Sequence, residues 1–304
     1  MYTFNRILCP TDFSDASLQT IRFAGFLAKN EQGHIKLLYV DENEKDPLGF
    51  FTFDEKHKKE YRDTITAFAQ SKFVELTERA NLDPQAISTH IHFGTAYHEI
   101  IQEAEANRFA AVVIATEGLG HASPHLLGRT VERVVRLCRA PVISVRPSEH
   151  EPQWKIRTIL CPTDFSEYAN YAIPYAVSIA RRYKAKIIFL HIVGLTVQHP
   201  ELLIQNFPDL NLYHEHSGEI QVERIVGRDV EPENSIVRLA EEYQADLIIM
   251  GTHGARGMRR VQIGNVTEEV VRRSITPVLT ITHPVHKTVF PHRFSEDYIP
   301  EEPQ

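Results

Sequence analysis

The string Ile-Leu-Cys-Pro-Thr-Asp-Phe-Ser occurs twice in this chain, starting at Ile7 and again at Ile159. Eight consecutive identities 152 residues apart mark an internal duplication, so whatever the chain folds into must be built twice. Other landmarks repeat with it. Leu37-Leu38-Tyr39-Val40 answers Phe189-Leu190-His191-Ile192 at the same offset, and Gly94 answers Gly227 at 133. Gly118 and Gly128 answer Gly254 and Gly264 at 136, as Ala140-Pro141-Val142 answers Thr276-Pro277-Val278. The drop from 152 to 133 removes 19 residues between the second and third strands of the second copy. In the first copy that interval holds a helical stretch near 54–81. In the second it holds Pro200 to Ser217, broken by Pro208, which reads as a stunted or irregular crossover.

Each copy alternates strand and helix. The first predicts strands near 6–10, 35–40, 87–92, 111–115 and 142–146, with helices near 14–30, 54–81, 96–107 and 128–138. The second predicts strands near 157–161, 186–193, 219–226, 246–250 and 277–282, with helices near 166–182, 232–243 and 265–274. The helix after Ser166 carries the apolar stripe Ala169, Ala172, Ile173, Ala176, Val177 and Ala180, and Pro174 should bend it. Five short apolar strands joined by helices imply an α/β fold, with a parallel sheet covered on both faces and right-handed crossovers. A length of 304 residues suits two such domains, expected at 1–147 and 155–283 with a linker at 148–154 and a tail at 284–304. The linker is polar and proline-flanked. The tail carries Pro284, Pro291, Pro300 and Pro303 without periodicity, and reads as disordered or as a strap.

Hydrophobic residues at 42 % and charged residues at 24 % fit a folded globular chain. A net charge of −7 argues against broad attachment to nucleic acid or to anionic membrane. No stretch approaches the roughly 20 apolar residues of a membrane helix, and the N-terminus lacks a signal-peptide shape. Cys9, Cys138 and Cys161 read as packed thiols without a disulfide framework, so a cytoplasmic setting is expected. The 16 histidines, including His90 with His92, His214 with His216 and His283 with His286, form no zinc pattern with cysteine, and no metal site is expected.

The stretch Met250 to Glu269 reads as strand, glycine loop, helix. Gly251, Gly254, Gly257 and Gly264 let a backbone approach a ligand, and Arg256, Arg259 and Arg260 stand between them. A helix start offers unpaired N–H groups and a partial positive charge, a combination that favours phosphate. Asn265 followed by Glu268 looks like a capping-box variant that would fix the helix start. The loop is neither a Walker A loop nor the dinucleotide fingerprint. In a doubly wound sheet, ligands lie beyond the strand carboxyl ends where strand order reverses. That brings Asp164, Ile192 and the Gly251 loop to one crevice: an acceptor, an apolar wall and an anion cradle. Asp164 can equally be a helix-flanking residue held by local backbone N–H groups.

The pattern Pro162-Thr163-Asp164-Phe165-Ser166, then Gly251-x2-Gly254-x9-Gly264, resembles the universal stress protein family. The resemblance covers about residues 3–146 and 155–282 and is that of a tandem member. It implies two Rossmann-like (flavodoxin-like) domains, each with a five-stranded parallel sheet of order 3-2-1-4-5 and helices on both faces. In one branch of the family it also implies ATP binding. Carried over by position, base and ribose contacts fall on Pro162, Thr163, Asp164 and Ile192. Phosphate and ribose contacts fall on Met250, Gly251, Gly254, Gly264, Asn265, Val266 and Thr267, with Thr252 and His253 inside the loop. Asn265 stands where the family usually has Ser or Thr. The first copy departs further: Ala115 replaces the first glycine, Arg129 follows Gly128, and the loop from Leu119 to Leu127 has no Lys or Arg, only His121, His125 and Pro124 among its marked residues. Asp12, Val40, Gly118, Gly128 and Arg129 then define a degenerate site, in which Arg129 fills the phosphate space or binds another anion.

The expected function is binding of an adenine nucleotide (ATP, ADP or AMP, with or without Mg2+) in the second domain, in a stress-response regulatory or sensor role. No nucleophile–base pair is placed by the sequence, so no catalytic residue is named. Two rivals stand: a slow ATPase assisted by His253 or the loop arginines, and a scaffold for another small ligand, lipid or metal with both nucleotide sites vestigial. The resemblance also implies that the two halves pack as an intramolecular pseudo-dimer. Further homodimerisation is left open.

Overall fold

The computed structural model describes residues 2–43, 55–118, 127–148, 152–210, 219–254 and 264–284. The first half runs β1 (Arg6–Pro10), α1 (Asp15–Lys29), β2 (His34–Asp41), α2 (Glu55–Ala80), β3 (Ile87–Phe93), α3 (Ala96–Ala106), β4 (Ala111–Ala115), α4 (Arg129–Leu137) and β5 (Val142–Val145). The second runs β6 (Thr158–Pro162), α5 (Glu167–Asn170), α6 (Ile173–Tyr183), β7 (Lys186–Val193), β8 (Val222–Arg228), α7 (Pro232–Glu242), β9 (Leu247–Gly251), α8 (Asn265–Arg273) and β10 (Val278–Ile281). The ten strands form one sheet in the order β3-β2-β1-β4-β5-β10-β9-β6-β7-β8, which within each half is 3-2-1-4-5. Pairing is parallel inside each half and antiparallel only where β5 meets β10.

That junction has an internal symmetry. Ser144 faces Val278, Ile143 faces Leu279 and Val142 faces Thr280. Ile143 and Leu279 are repeat equivalents, 136 apart, so the register is symmetric about them. The same relation governs the leading residues. Tyr2 packs on Tyr175 with ring centroids 4.7 Å apart, and its repeat equivalent Trp154 packs on Phe23 at 4.7 Å. Each half thus lays its opening residue on the first long helix of the other.

Strand alternation sorts side chains onto two cores. Ile7 and Cys9 point to the core under α1, α2 and α6, whereas Leu8 points to the core under α3, α4, α7 and α8. Ile159, Cys161 and Leu160 repeat the arrangement. Both cores run through both halves, so burial of these apolar side chains, about 1.5–3 kcal/mol each, welds the halves as well as the layers.

Two expectations are corrected. The single helix after Ser166 is two helices, α5 and α6, broken between Asn170 and Ile173. Pro174 sits at the second position of α6, where its missing N–H is harmless; further into a continuous helix it would clash with the carbonyl of Asn170. The apolar stripe is nonetheless buried at all six positions. The strand expected at 219–226 lies at Val222–Arg228, because β8 follows β7 to its end, pairing Val193 with Arg228. Gly227 makes room there for Ile192, whose Cδ1 would stand 2.8 Å from a Cβ at that position.

The shortened crossover of the second half contains a 3-10 segment, Pro200–Asn206, in place of the 26-residue α2. Phe207 takes over part of that helix's packing. Its ring meets Phe165 edge-on at 5.1 Å, as Phe73 of α2 meets Phe13 at 5.2 Å. Leu195, Leu202 and Ile204 remain exposed around it. Among the described residues no helix is long and apolar enough to cross a membrane. The expectations for the tail beyond 284, for His214, His216 and His286, and for linker residues 149–151 lie outside the described residues.

Candidate functional site

The repeated Pro-Thr-Asp-Phe-Ser segment is first of all a turn. Thr163 Oγ1 accepts the Phe165 N–H at 2.9 Å, and Asp164 Oδ1 accepts the Ser166 N–H at 3.0 Å and its hydroxyl. Ser166 Oγ then caps α5 by accepting the Ala169 N–H at 3.2 Å. Thr11, Asp12 and Ser14 repeat each bond, with Ser17 in the place of Ala169. The turn forces Phe13 and Phe165 to a left-handed φ of 65°, a strain of about 1–2 kcal/mol that the surroundings must hold. Ring packing holds it: Phe13 lies over Tyr39 at 4.8 Å, and Phe165 over His191 at 4.1 Å. His191 Nδ1 also bonds the Thr163 carbonyl at 2.8 Å. The sequence reading passed over these two aromatic pairs; their signal was the recurrence of an aromatic ring at both offsets.

At the carboxyl ends of β6 and β9, Asp164 lies against Gly254. A Cβ at Gly254 would collide with Asp164 Oδ2, so glycine lets the carboxylate lie against the loop. Of the two readings of Asp164, the structure shows the local one: Oδ1 holds the turn, and Oδ2 lies against Gly254. The loop is closed at its base, where the Gly264 N–H donates to the Thr252 carbonyl at 2.9 Å, as Gly128 does to Thr116 at 3.1 Å. Asn265 is not the cap. Gly264 occupies the N-cap position without a side-chain cap bond, Asn265 is the first helical residue, and the Glu268 N–H bonds the Gly264 carbonyl at 3.1 Å. The capping-box reading fails because the loop closure through Gly264 sets the helix start one residue earlier.

The thirteen residues carried over for the second half divide by exposure. Asp164 and Asn265 are exposed, and Ile192, Gly254, Gly264 and Val266 are partly exposed. Pro162, Thr163, Met250, Gly251, Thr252, His253 and Thr267 are buried. Thr267 Oγ1 donates to the Gly251 carbonyl at 2.9 Å, and His253 Nδ1 shares a hydrogen bond with Thr252 Oγ1 at 2.9 Å, so both work within the loop base. Gly251 has a packing reason to be glycine: a Cβ there would stand 2.7 Å from the Tyr168 carbonyl oxygen. Gly264 has none among the described residues, the nearest atom to its Cβ position being the Thr252 carbonyl oxygen at an ordinary 3.4 Å. Arg256, Gly257, Arg259 and Arg260 lie outside the described residues.

In the first half, Asp12, Val40, Gly118, Gly128 and Arg129 line one cavity of about 370 Å³. Leu38, Ile100 and Ile114 form its apolar wall, and Glu42 and Glu117 add two carboxylates that the sequence reading did not single out. α4 starts at Arg129 behind Gly128, again with no side-chain cap bond. His121, Pro124 and His125 lie outside the described residues. The cysteines sit away from this rim: all three are buried, and desolvation pushes the Cys138 and Cys161 thiols up to about 12. Such thiols are packing groups rather than nucleophiles.

A profile described as the universal stress protein family matches residues 3–146 and 155–282. Universal stress protein Slr1230 of Synechocystis sp. is 29 % identical over 296 residues, spanning 91 % of this chain and 99 % of its own. Universal stress protein MJ0531 of Methanocaldococcus jannaschii is 31 % identical over 144 residues, spanning 42 % of this chain and 83 % of its own. The crystal structure of a universal stress protein from Archaeoglobus fulgidus superposes with a TM-score of 0.68 at 23 % identity, covering 92 % of this chain and 98 % of that one. With one family domain in each copy of the repeat, this chain belongs to the universal stress protein family as a tandem member.

Proposed function

We propose that the second half binds an adenine nucleotide and that the chain acts in the cytoplasm as a nucleotide-responsive regulator rather than a catalyst. The observation that carries this reading is the start of α8. Among the described residues its first N–H groups have no side-chain cap, and no described neighbour requires Gly264 to be glycine. Asp164 and Ile192 supply an acceptor and an apolar wall on the same rim, which suits the sugar and base of a nucleotide whose phosphates meet α8. Asn265 at the first helical position adds an amide donor. The symmetric β5–β10 register supports reading the two halves as an intramolecular pseudo-dimer.

Calorimetric titration with ATP, ADP and AMP tests the proposal. One nucleotide per chain with micromolar to submillimolar affinity is expected. Gly254→Glu, whose side chain must displace Asp164, should remove it. No heat at millimolar ligand, with the fold intact, would end the reading. Metal-dependent turnover that Gly254→Glu abolishes would instead favour the hydrolase.

A further inference from the structure

The repeat allows the seam between the halves to be compared position by position. Thr252 answers Thr116, His253 answers Glu117, Thr282 answers Arg146 and Ser274 answers Cys138, all at 136. In the second half, His253 Nδ1 and Thr252 Oγ1 share a hydrogen bond at 2.9 Å, and Thr252 Oγ1 donates to Thr282 Oγ1 at 3.4 Å. Thr282 Oγ1 then donates across the seam to the Cys138 carbonyl at 3.1 Å. All four residues are buried. The first half has no such series among its described residues. Thr116 Oγ1 is buried without a hydrogen-bond partner, and Arg146, at the Thr282 position, donates to the Arg272 carbonyl instead. The first half therefore holds the second-half loop base through a bond series that is not returned.

Proton counting gives this series a direction. A carbonyl only accepts, so Thr282 gives its single hydroxyl proton to Cys138. Thr282 then accepts from Thr252, whose own proton is taken up in turn, so Thr252 accepts from His253 Nδ1. The proton of the neutral His253 ring therefore lies on Nδ1, and Nε2 keeps the lone pair. Cys138 suits the end of the series. It is the C-cap of α4, where the last carbonyls of a helix lack intrahelical partners and carry partial negative charge. Bonds aligned in one direction also polarise one another. Thr252 matters to the loop because its carbonyl accepts the Gly264 N–H at 2.9 Å, directly ahead of α8.

We propose that Thr282 is a positioning residue through which the first half orders the loop base of the second. The carbonyl at the end of α4 sets the His253 tautomer and holds Thr252, and Thr252 holds Gly264 at the start of α8. The inference deepens the nucleotide reading by naming what orders that site, and it rests on that reading for the effect on ligand affinity alone.

The test begins with histidine nitrogen NMR on the full chain, free of nucleotide and at a pH where the His253 ring is neutral. The parent chain should carry the proton on Nδ1; a proton on Nε2 overturns the proposal. Thr282→Val then removes the hydroxyl at nearly constant shape, and Thr282→Ser restores it. The valine variant should exchange its Gly264 amide about tenfold faster and lose the tautomer preference, while the serine variant stays within about threefold of the parent. Losing a buried bond lowers the stability of the valine variant in any case, so melting is not the readout. ATP affinity by calorimetry should fall about tenfold with valine and recover with serine. A valine variant with parental tautomer and parental Gly264 exchange overturns the proposal, as does a serine variant that melts cooperatively yet behaves like valine. If the valine variant does not fold, the parent tautomer decides. A parent chain that binds no ATP would sink the nucleotide reading and leave the tautomer and exchange results to decide this one.

Discussion

At the scale of single residues, the duplicated octapeptide owes its identity to a backbone problem. Thr, Asp and Ser are the side chains that can bond the N–H groups of a tight turn, and both copies use them alike, with a phenylalanine held at φ 65° between. Each turn takes up one oxygen of its aspartate, and the other lies against a glycine, Gly118 or Gly254. Charge shows the same economy at the junction of the halves. Glu268 and Glu132 are repeat equivalents, and the Glu268 carboxyl is held above its ordinary value by burial first, then by the charges of Glu132 and Glu269, against the opposing pull of Arg136 and Arg272. A carboxyl with a raised folded-state pKa binds its proton more tightly in the folded chain. Its stabilising contribution is therefore full below the ordinary carboxylate value of 4.5 and is lost as pH rises through the folded value. Glu268→Gln should accordingly raise stability at pH 7 by less than about 1 kcal/mol, since the site is partly exposed. The gain over the parent chain should vanish near pH 4, as thermal melts across pH would show.

At the scale of elements, proline and glycine act as a pair across α5 and β9. Pro174 enforces the break after Asn170, and the detached α5 settles on the end of β9, where only glycine at 251 tolerates the Tyr168 carbonyl. In the first half α1 is continuous from Asp15 and the equivalent position is Ala115. The missing family glycine thus tracks an unbroken helix as much as a changed ligand. Gly251→Ala should lose about 1–3 kcal/mol, because the atoms in its way are backbone. Gly264→Ala, facing an ordinary 3.4 Å contact, should change stability little and show its effect in nucleotide affinity. Urea unfolding with and without ATP separates the two. The 19-residue deletion is met by a similar local repair: Phe207 stands edge-on to Phe165 as Phe73 does to Phe13, so a 3-10 segment and one ring replace part of a long helix.

At the scale of the molecule, the halves are joined by more than their linker. β5 and β10 pair, both cores are continuous, and the opening residues Tyr2 and Trp154 are exchanged. Tyr2 adds hydrogen bonds to Ser178, its N–H donating at 2.7 Å and its carbonyl accepting at 3.0 Å. The base of the second-half loop reaches the first half directly: Thr252 Oγ1 approaches Thr282 Oγ1 at 3.4 Å, and Thr282 Oγ1 donates to the Cys138 carbonyl just beyond α4 at 3.1 Å. The start of that nine-residue helix lines the first-half cavity. Trp154→Ala and Tyr2→Ala should each cost about 1–3 kcal/mol. Because both cores span the junction, each variant should still unfold in one transition by calorimetry. A split into two transitions would show that the halves fold separately.

Element order, the duplication, the buried strands and the family are legible in the amino-acid sequence, because periodicity and exact repetition are local properties that survive without coordinates. It also placed Asp164 and Gly254 on the same crevice, since strand ends in a doubly wound sheet converge by topology. It could not decide the helix break, the true start of α8 or the exchange of Tyr2 and Trp154, each of which depends on which atoms meet across long stretches of chain. Nor could it set Glu42 and Glu117 in one cavity with Asp12: topology brings their strand ends together, but which side chains line a shared volume there depends on packing. What lies at the first-half rim is an outcome of tertiary packing, in which β1, β2 and β4 end side by side and their following residues share one volume.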